Sequence, residues 1–266
     1  MNIGIVGKGF VGSAVYDGLG QIDNNMLYHD PKYNTDIKNV INTELIFICV
    51  PTDMLDNGKC DTSIVEKVLK ELNDNLYTGV ICIKSTVIPG TTENLQLSFP
   101  NLKIACVPEF LRERSALSDF VLEHDVLIIG CQNQNEADII IKAHGNIPKK
   151  ISIVSPTEAE LCKYFNNVYN ALRITFANGF YEVCEKMNCN YQNIFNAITQ
   201  RKNIDSNYLR ASKNMRGFGG YCLPKDSSAF AELVKELFKD ERPELFDKIV
   251  SDNKLYITTV FDGMRK

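Results

Sequence analysis

A doubly wound α/β domain followed by a mostly α-helical one is the fold class this sequence predicts. Three observations predict it. Short, fully apolar, β-branched runs alternate with helix-compatible stretches through the first half of the 266 residues. A turn of pattern G-x-G-x-x-G joins the first such run directly to the first helical stretch. From about Pro156 onward the strand signals stop and helical periodicity takes over. Strands that are apolar on both faces belong to a parallel sheet covered on each side by helices.

The elements follow in order. Strands are expected at 2–6, 26–29, 45–50, 80–84, 103–107 and 126–129, with helices such as 11–19 and 63–73 between them. Residues 157–187 read as one long central helix, with Thr157 as its N-cap and apolar side chains recurring at helical spacing. Further helices are expected at 191–199, 223–238 and 243–264. The domains are then 1–155, a cofactor-binding α/β domain, and 156–266, a helical domain. There is no internal repeat and no low-complexity linker.

Composition narrows the function classes. An apolar content of 44% with 23% charged residues is that of a soluble globular protein. A net charge of −4 and a pI near 5.5 give no reason to expect nucleic acid or an anionic membrane as partner. No run reaches transmembrane length, and the opening apolar run has no basic flank of the kind a signal peptide carries. Nine cysteines are scattered without C-x-x-C pairs, and the three histidines do not group with them. Neither a metal site nor a disulfide framework is expected, Cys49, Cys82 and Cys106 read as core residues, and a reducing cytoplasm fits best.

Gly7, Gly9 and Gly12, with Lys8, Phe10 and Val11 between them, follow a strand and open a helix. In that context glycines let a pyrophosphate approach the backbone at a helix N-terminus, which makes the domain Rossmann-like. Asp30 stands eighteen residues after Gly12, at the end of the second strand. A carboxylate there accepts hydrogen bonds from ribose hydroxyls and repels a 2′-phosphate, so NAD is the expected cofactor. Val50-Pro51-Thr52 and Lys84-Ser85-Thr86 lie just beyond the carboxyl ends of two further strands, the edge at which open α/β sheets bind ligands.

The ten residues from Gly217 to Asp226, G-F-G-G-Y-C-L-P-K-D, carry the second chemical signal. They set Cys222 after a run of glycines, with Lys225 three residues on and Asp226 four residues on. A thiolate is the nucleophile of covalent catalysis, and it is favoured beside a cation or a helix N-terminus. Pro224 suits the first turn of a helix beginning there.

These segments together resemble the nucleotide-sugar 6-dehydrogenases, the UDP-glucose/GDP-mannose dehydrogenase family, and the bacterial UDP-glucose dehydrogenases in particular. The matching stretches are G-K-G-F-V-G at 7–12, V-P-T at 50–52, K-S-T-V-I-P-G-T-T at 84–92, P-E-F-L-R-E at 108–113, A-E-L-C-K-Y-F-N-N at 159–167 and G-F-G-G-Y-C-L-P-K-D at 217–226. The resemblance implies NAD-dependent oxidation of a sugar C6 alcohol in two steps through a covalent adduct on Cys222. Glu109 would be the base for the hydrolytic water. Lys163 and Asn167, four residues apart and on one helix face, would stabilise the oxyanion. Asp226 and Thr86 would position water or Lys163, while Glu113 and Lys225 would touch the cofactor. Phe110, Leu111, Arg112, Tyr208 and Gly219 match positions around the substrate. The resemblance also implies a nucleotide-sugar substrate and a homodimer formed through the helical domain.

Two departures stand out against the family pattern. Family members carry a third, C-terminal nucleotide-binding domain, and this sequence ends just after the second, where Asn253 matches a recurring Asn. A separate chain supplying the missing part is therefore one expectation. Asn203 stands where the family has an Arg that reaches across the dimer, and Arg201 and Arg216 are the candidates to replace it. Two other readings remain open. A β-hydroxyacid dehydrogenase also pairs a Rossmann-like domain with a helical one and uses a helix Lys with an Asn four residues on. A non-autonomous NAD-binding subunit is the other.

Overall fold

The computed structural model describes residues 1–238 and 243–256. The chain divides into two compact units, the first comprising Met1–Asp53 and Cys60–Lys163, the second Met54–Lys59 and the chain from Tyr164 onward.

The first unit is built on a seven-stranded sheet. Its strands are β1 (Asn2–Val6), β2 (Asn25–His29), β3 (Leu45–Ile48), β4 (Val80–Ile83), β5 (Lys103–Cys106), β6 (Leu127–Gly130) and β7 (Ile151–Val154). They lie in the order β2-β1-β3-β4-β5-β6-β7. Alternate residues of each strand serve opposite faces, as a period of two demands. Ile3, Ile5, Leu45, Phe47, Val80 and Cys82 face one buried cluster, completed by Ala14, Val15 and Leu19 of α1 (Phe10–Gly20), Phe120 of α4 (Ala116–Leu122) and Ile140 of α5 (Gln134–His144). Ile46, Ile48, Ile81, Ile83 and Ile104 face the other, under Val65, Val68, Leu69 and Leu72 of α2 (Ser63–Asp74) and Leu95 of α3 (Thr91–Ser98). The sheet is thus doubly wound, as the apolar runs predict. Cys82 and Cys106 are core residues, whereas Cys49 keeps partial exposure.

The sheet is parallel except at one pairing. β6 runs antiparallel to β5, meeting it at the single pair Cys106–Gly130, and β7 runs parallel to β6. The connection from β5 to β6 passes through a single turn at Glu113–Ser115 and then α4, and β6 starts at the edge where β5 ends. β7 has no counterpart among the expected strands, because its half-exposed Ile151 and Ile153 alternate over only four residues.

Helix α6 (Pro156–Lys186) runs for 31 residues and lies within one residue of the expected limits at each end. Its cap is Ser155 rather than Thr157. The Ser155 hydroxyl accepts from the Glu158 N–H at 3.3 Å, and the Glu158 carboxylate accepts from the Ser155 N–H at 2.8 Å. This S-x-x-E pattern is a capping box with Pro at the first helical position.

The second unit is helical. After α6 come α7 (Tyr191–Ile198), α8 (Cys222–Phe238) and α9 (Leu245–Lys254). Its core gathers Val168, Ala171 and Ile174 of α6, Phe218, and Ile249 of α9, with Leu223, Phe230 and Phe246 packed against them. The part of the expected helix 243–264 beyond residue 256 lies outside the described residues.

Candidate active site

The strand order reverses direction at β1 and β3, and open α/β sheets bind ligands at such a switch point, beyond the carboxyl ends of the strands. The glycine turn sits there. Gly7 has φ +89°, and a Cβ on it would meet the Cys49 carbonyl oxygen at 2.7 Å. A Cβ on Gly12 would stand 1.9 Å from the Gly7 carbonyl oxygen. Both glycines are therefore demanded by backbone contact. Gly9 caps α1, and a Cβ there would meet nothing within 4 Å, so the space above the turn is open. No side chain caps α1 and no acidic residue lies in its first turn, which leaves the positive end of the helix facing that space. Phe10 is exposed at its start, while Val11 packs against the core.

Asp30 closes the turn from the side. Its carboxylate accepts from the Lys8 N–H at 2.7 Å and the Lys32 N–H at 2.8 Å. The Lys8 ammonium lies against the rings of Tyr16 and Tyr28, 3.8 and 4.3 Å from their centroids. The buried Thr52 donates to the Thr86 carbonyl at 2.7 Å, tying the loop after β3 to the loop after β4. These residues fit a dinucleotide: an open glycine backbone, an uncapped helix start and a carboxylate at the end of β2. Glu113 is exposed in a single turn before α4 and is not part of this cluster.

A second cluster of the first unit surrounds Glu109, just past β5. Its buried carboxylate accepts from the Lys84 ammonium at 2.9 Å and from the N–H groups of Phe110 at 2.9 Å and Leu111 at 3.3 Å. Burial alone would raise the pKa of this carboxyl. The charge and hydrogen bond of Lys84 outweigh it, with help from His124 and the Phe110 N–H, and hold Glu109 below the ordinary glutamate range. Lys163 of α6 reaches the Glu109 backbone carbonyl at 2.5 Å and stands 5.7 Å from the Phe110 ring centroid. Arg112 points elsewhere. Its guanidinium grips Asp119 at 2.7 and 2.9 Å and holds that carboxyl down at about 2.

The pattern of residues alone missed two members of this framework. Lys84 ends a strand that is otherwise wholly apolar, V-I-C-I-K, and that placement is the signal that could have found it. Glu160, three residues before Lys163, accepts from the Gly90 N–H, the Thr92 N–H and the Thr92 hydroxyl at 2.6, 2.8 and 2.6 Å. It thereby caps α3 and fixes the loop that follows Thr86.

In the second unit, the turn 217–220 leads into Cys222, the exposed first residue of α8. Gly217 and Gly220 take φ +64° and +75°. Asn253 of α9 holds the turn by accepting from the Phe218 N–H at 2.7 Å and donating to the Phe218 carbonyl at 2.9 Å. One helical turn beyond the thiol, the buried Asp226 accepts from the Asn167 amide at 2.6 Å. Lys225 Nζ stands 2.7 Å from the other Asp226 oxygen, a charge contact too bent for a hydrogen bond. Lys225 is thus buried against Asp226, while Gly219 is partly buried in the turn. Tyr208 (φ +65°) sits with its ring 5.0 Å from the Arg173 guanidinium, away from this network. Arg216 is buried, bonded to Asn178 and Glu182 and stacked between Tyr181 and Tyr256. Of the two candidate arginines only Arg201 is exposed.

Along α6, Phe165, Tyr169, Phe176, Phe180 and Val183 form an exposed apolar stripe at spacings of three, four and seven. Among the described residues no helix is long and apolar enough to cross a membrane, and no three His, Cys, Asp or Glu side chains converge as metal ligands.

A doubly wound sheet with a glycine turn at its switch point, followed by a helical unit bearing a thiol, defines the class of NAD-binding dehydrogenases. Comparison with known proteins narrows it. The profile of the UDP-glucose/GDP-mannose dehydrogenase family, NAD binding domain, matches residues 28–147, and that of the family's central domain matches residues 157–254. The UDP-glucose 6-dehydrogenase of Rickettsia bellii is 32% identical over 231 residues, which are 84% of this chain and 51% of the relative. A UDP-glucose dehydrogenase structure from the archaeon Pyrobaculum islandicum superposes with a TM-score of 0.86 at 24% identity, covering 96% of this chain and 68% of that one. The 3-hydroxyisobutyrate dehydrogenase of Mycobacterium tuberculosis shares the fold at a TM-score of 0.74 and 13% identity, covering 96% of this chain and 93% of that one. The chain belongs to the UDP-glucose/GDP-mannose dehydrogenase family, of which it carries the NAD-binding and central domains. It spans about half the length of the curated relatives it matches.

Proposed function

We propose that this chain oxidises the C6 primary alcohol of a nucleotide sugar twice, UDP-glucose to UDP-glucuronate first among them, through a covalent adduct on Cys222. The observation that carries this reading is the exposed Cys222 at the start of α8, one turn before a buried Asp226 hydrogen-bonded to Asn167. A single alcohol oxidation has no use for a nucleophile; a double one does, because a thiol traps the aldehyde.

NAD, when bound, supplies the hydride acceptor for each oxidation. Gly7, Gly9 and Gly12 with Phe10 and Val11 would receive its pyrophosphate, Asp30 its ribose hydroxyls, and Thr52 and Thr86 line the same sheet edge; Glu113 and Lys225 are assigned to the cofactor on the family pattern alone. In the first oxidation the alcohol loses a hydride and a proton and becomes an aldehyde. Cys222 Sγ then bonds to the aldehyde carbon while the thiol proton passes to the oxygen, giving a thiohemiacetal. Loss of a second hydride and the hydroxyl proton leaves a thioester. Glu109 takes a proton from water, the resulting hydroxide attacks the thioester carbon, the C–S bond breaks, and the sulfur regains its proton as the uronate leaves. Lys163 and Asn167 stabilise the oxyanion, with Asp226 and Thr86 positioning water or Lys163. Phe110, Leu111, Arg112, Tyr208 and Gly219 are assigned to the substrate on the family pattern alone.

The exposed stripe on α6 supports a homodimer built on that helix, since large apolar faces of this kind mark protein contacts. Nine thiols, none in a disulfide, suit a reducing cytoplasm. The single-oxidation reading is favoured by one observation, the fold shared with 3-hydroxyisobutyrate dehydrogenase. One experiment separates the readings. Purified chain with NAD and UDP-glucose yields two NADH per UDP-glucuronate, Cys222→Ser yields no free uronate, and light scattering gives the mass of two chains. One NADH per product carbonyl compound would sink the double oxidation. Silence toward all nucleotide sugars despite NAD binding would point to a subunit completed by another chain.

A further inference from the structure

We infer that Lys84 is the positioning residue of the general base: from the buried end of β4 it fixes and charges the Glu109 carboxylate. The inference rests on the reading of Glu109 as base for thioester hydrolysis. Lys84 has no exposed side-chain surface, and its ammonium lies 2.9 Å from Glu109 Oε2. The rings of Phe47 and Phe120, 5.6 and 5.7 Å from the ammonium, wall it on the inner side. A lysine buried among such rings is costly unless it meets an anion. Glu109 is the one carboxylate within ion-pair distance among the described residues.

The charge arrangement explains why a base needs such a partner. A carboxylate shut away from water takes up a proton and ceases to be a base. The groups facing Glu109 come from five places: Lys84 just after β4, His124 after α4, His144 of α5, Cys49 after β3 and the Lys163 ammonium from α6, which bonds the backbone carbonyl. Burial keeps His124 and His144 below the ordinary histidine range, so both are neutral at pH 7. That leaves Lys84 as the cation bonded to the carboxylate. The N–H groups of Phe110 and Leu111 hold the other oxygen, Oε1, so both oxygens are oriented and Oε2 retains a lone pair for water.

The test reads Glu109 directly, by the carbon-13 shift of its carboxyl during a pH titration, assigned by its loss in Glu109→Gln. In Lys84→Met the midpoint rises by about 2 pH units or more. With UDP-glucose and NAD, the acid limb of kcat for uronate release moves by the same amount, while KM for UDP-glucose stays put. Lys84→Gln, which keeps a donor without the charge, moves both in the same direction by less, and it stands in if Lys84→Met does not fold. An unmoved midpoint and an unmoved acid limb, together with a Glu109→Gln that accumulates the covalent adduct, overturn the role of Lys84 alone. A Glu109→Gln that releases uronate at the wild-type rate overturns the base reading instead, and the positioning role with it.

Discussion

Two glycine-bearing turns open helices in this chain, one after β1 and one before α8, and they are held in shape by different means. The first is fixed by backbone against backbone. Gly7 and Gly12 have no room for a Cβ, because carbonyl oxygens stand 2.7 and 1.9 Å from where it would be. The second is fixed by a side chain 35 residues further on, the Asn253 amide that grips the Phe218 backbone from both sides. The first turn leaves its backbone open to a ligand; the second presents a thiol. A site that offers backbone is made by local spacing, and a site that offers a side chain at a set angle needs a distant brace.

The largest effect expected is at the first turn. Gly12→Ala forces a methyl into the Gly7 carbonyl, an overpacking that costs about 3 kcal/mol. If the fold survives, NAD affinity measured by calorimetry falls at least a hundredfold, whereas the thiol reactivity of Cys222 is unchanged. Wild-type affinity would show that the two turns do not differ as described.

Asn253→Ala comes next. It strands a buried N–H and a buried carbonyl of the turn, each worth about 1–3 kcal/mol. The expected outcome is a lower unfolding temperature and slower alkylation or turnover at Cys222, with NAD affinity within twofold of wild type. A drop in NAD affinity as large as that in Gly12→Ala would erase the distinction between the turns.

The contrast accounts for what was legible in advance. The glycine turn, Asp30 and the start of α8 at Cys222 depend on spacing within a few residues, so the sequence displays them. The limits of α6 are equally legible, since 31 residues of helical periodicity leave little freedom. Lys84, Glu160 and the clamping role of Asn253 depend on which strand end meets which loop, and no local pattern carries that. Ser155 is a different case: its capping box was visible, but Thr157 is also a cap former and competes with it. The reversal of β6 is invisible for a simpler reason, because four apolar residues read the same in either direction.

The smallest effect expected concerns the sheet below the first turn. His144 is wholly buried, and burial, abetted by the charge of Lys84, pushes its pKa down to about 3. The unfolded chain takes up this proton as the pH falls through about 6.5, while the native chain does not until about 3. Stability is therefore full above about pH 6.5 and declines on acidification, by about 1.4 kcal/mol per pH unit for this one group. His124, also held low by burial, adds in the same direction. Denaturant unfolding between pH 7 and pH 5 checks the slope, and His144→Phe flattens it by one proton. An unchanged slope in that variant would place the acid sensitivity elsewhere.

The cysteines have a further consequence. Cys82 and Cys106 are sealed under the helices, and burial raises both thiols well above their ordinary range, so at neutral pH neither reacts with an electrophile in the native fold. Cys222 and Cys189 are exposed. The protein thus carries two kinds of thiol clock: exposed sulfurs that report on the surface at once, and interior ones that become reactive only when the sheet opens. With a label that reacts faster than the fold recloses, the rate at which interior thiols are modified counts how often that opening occurs.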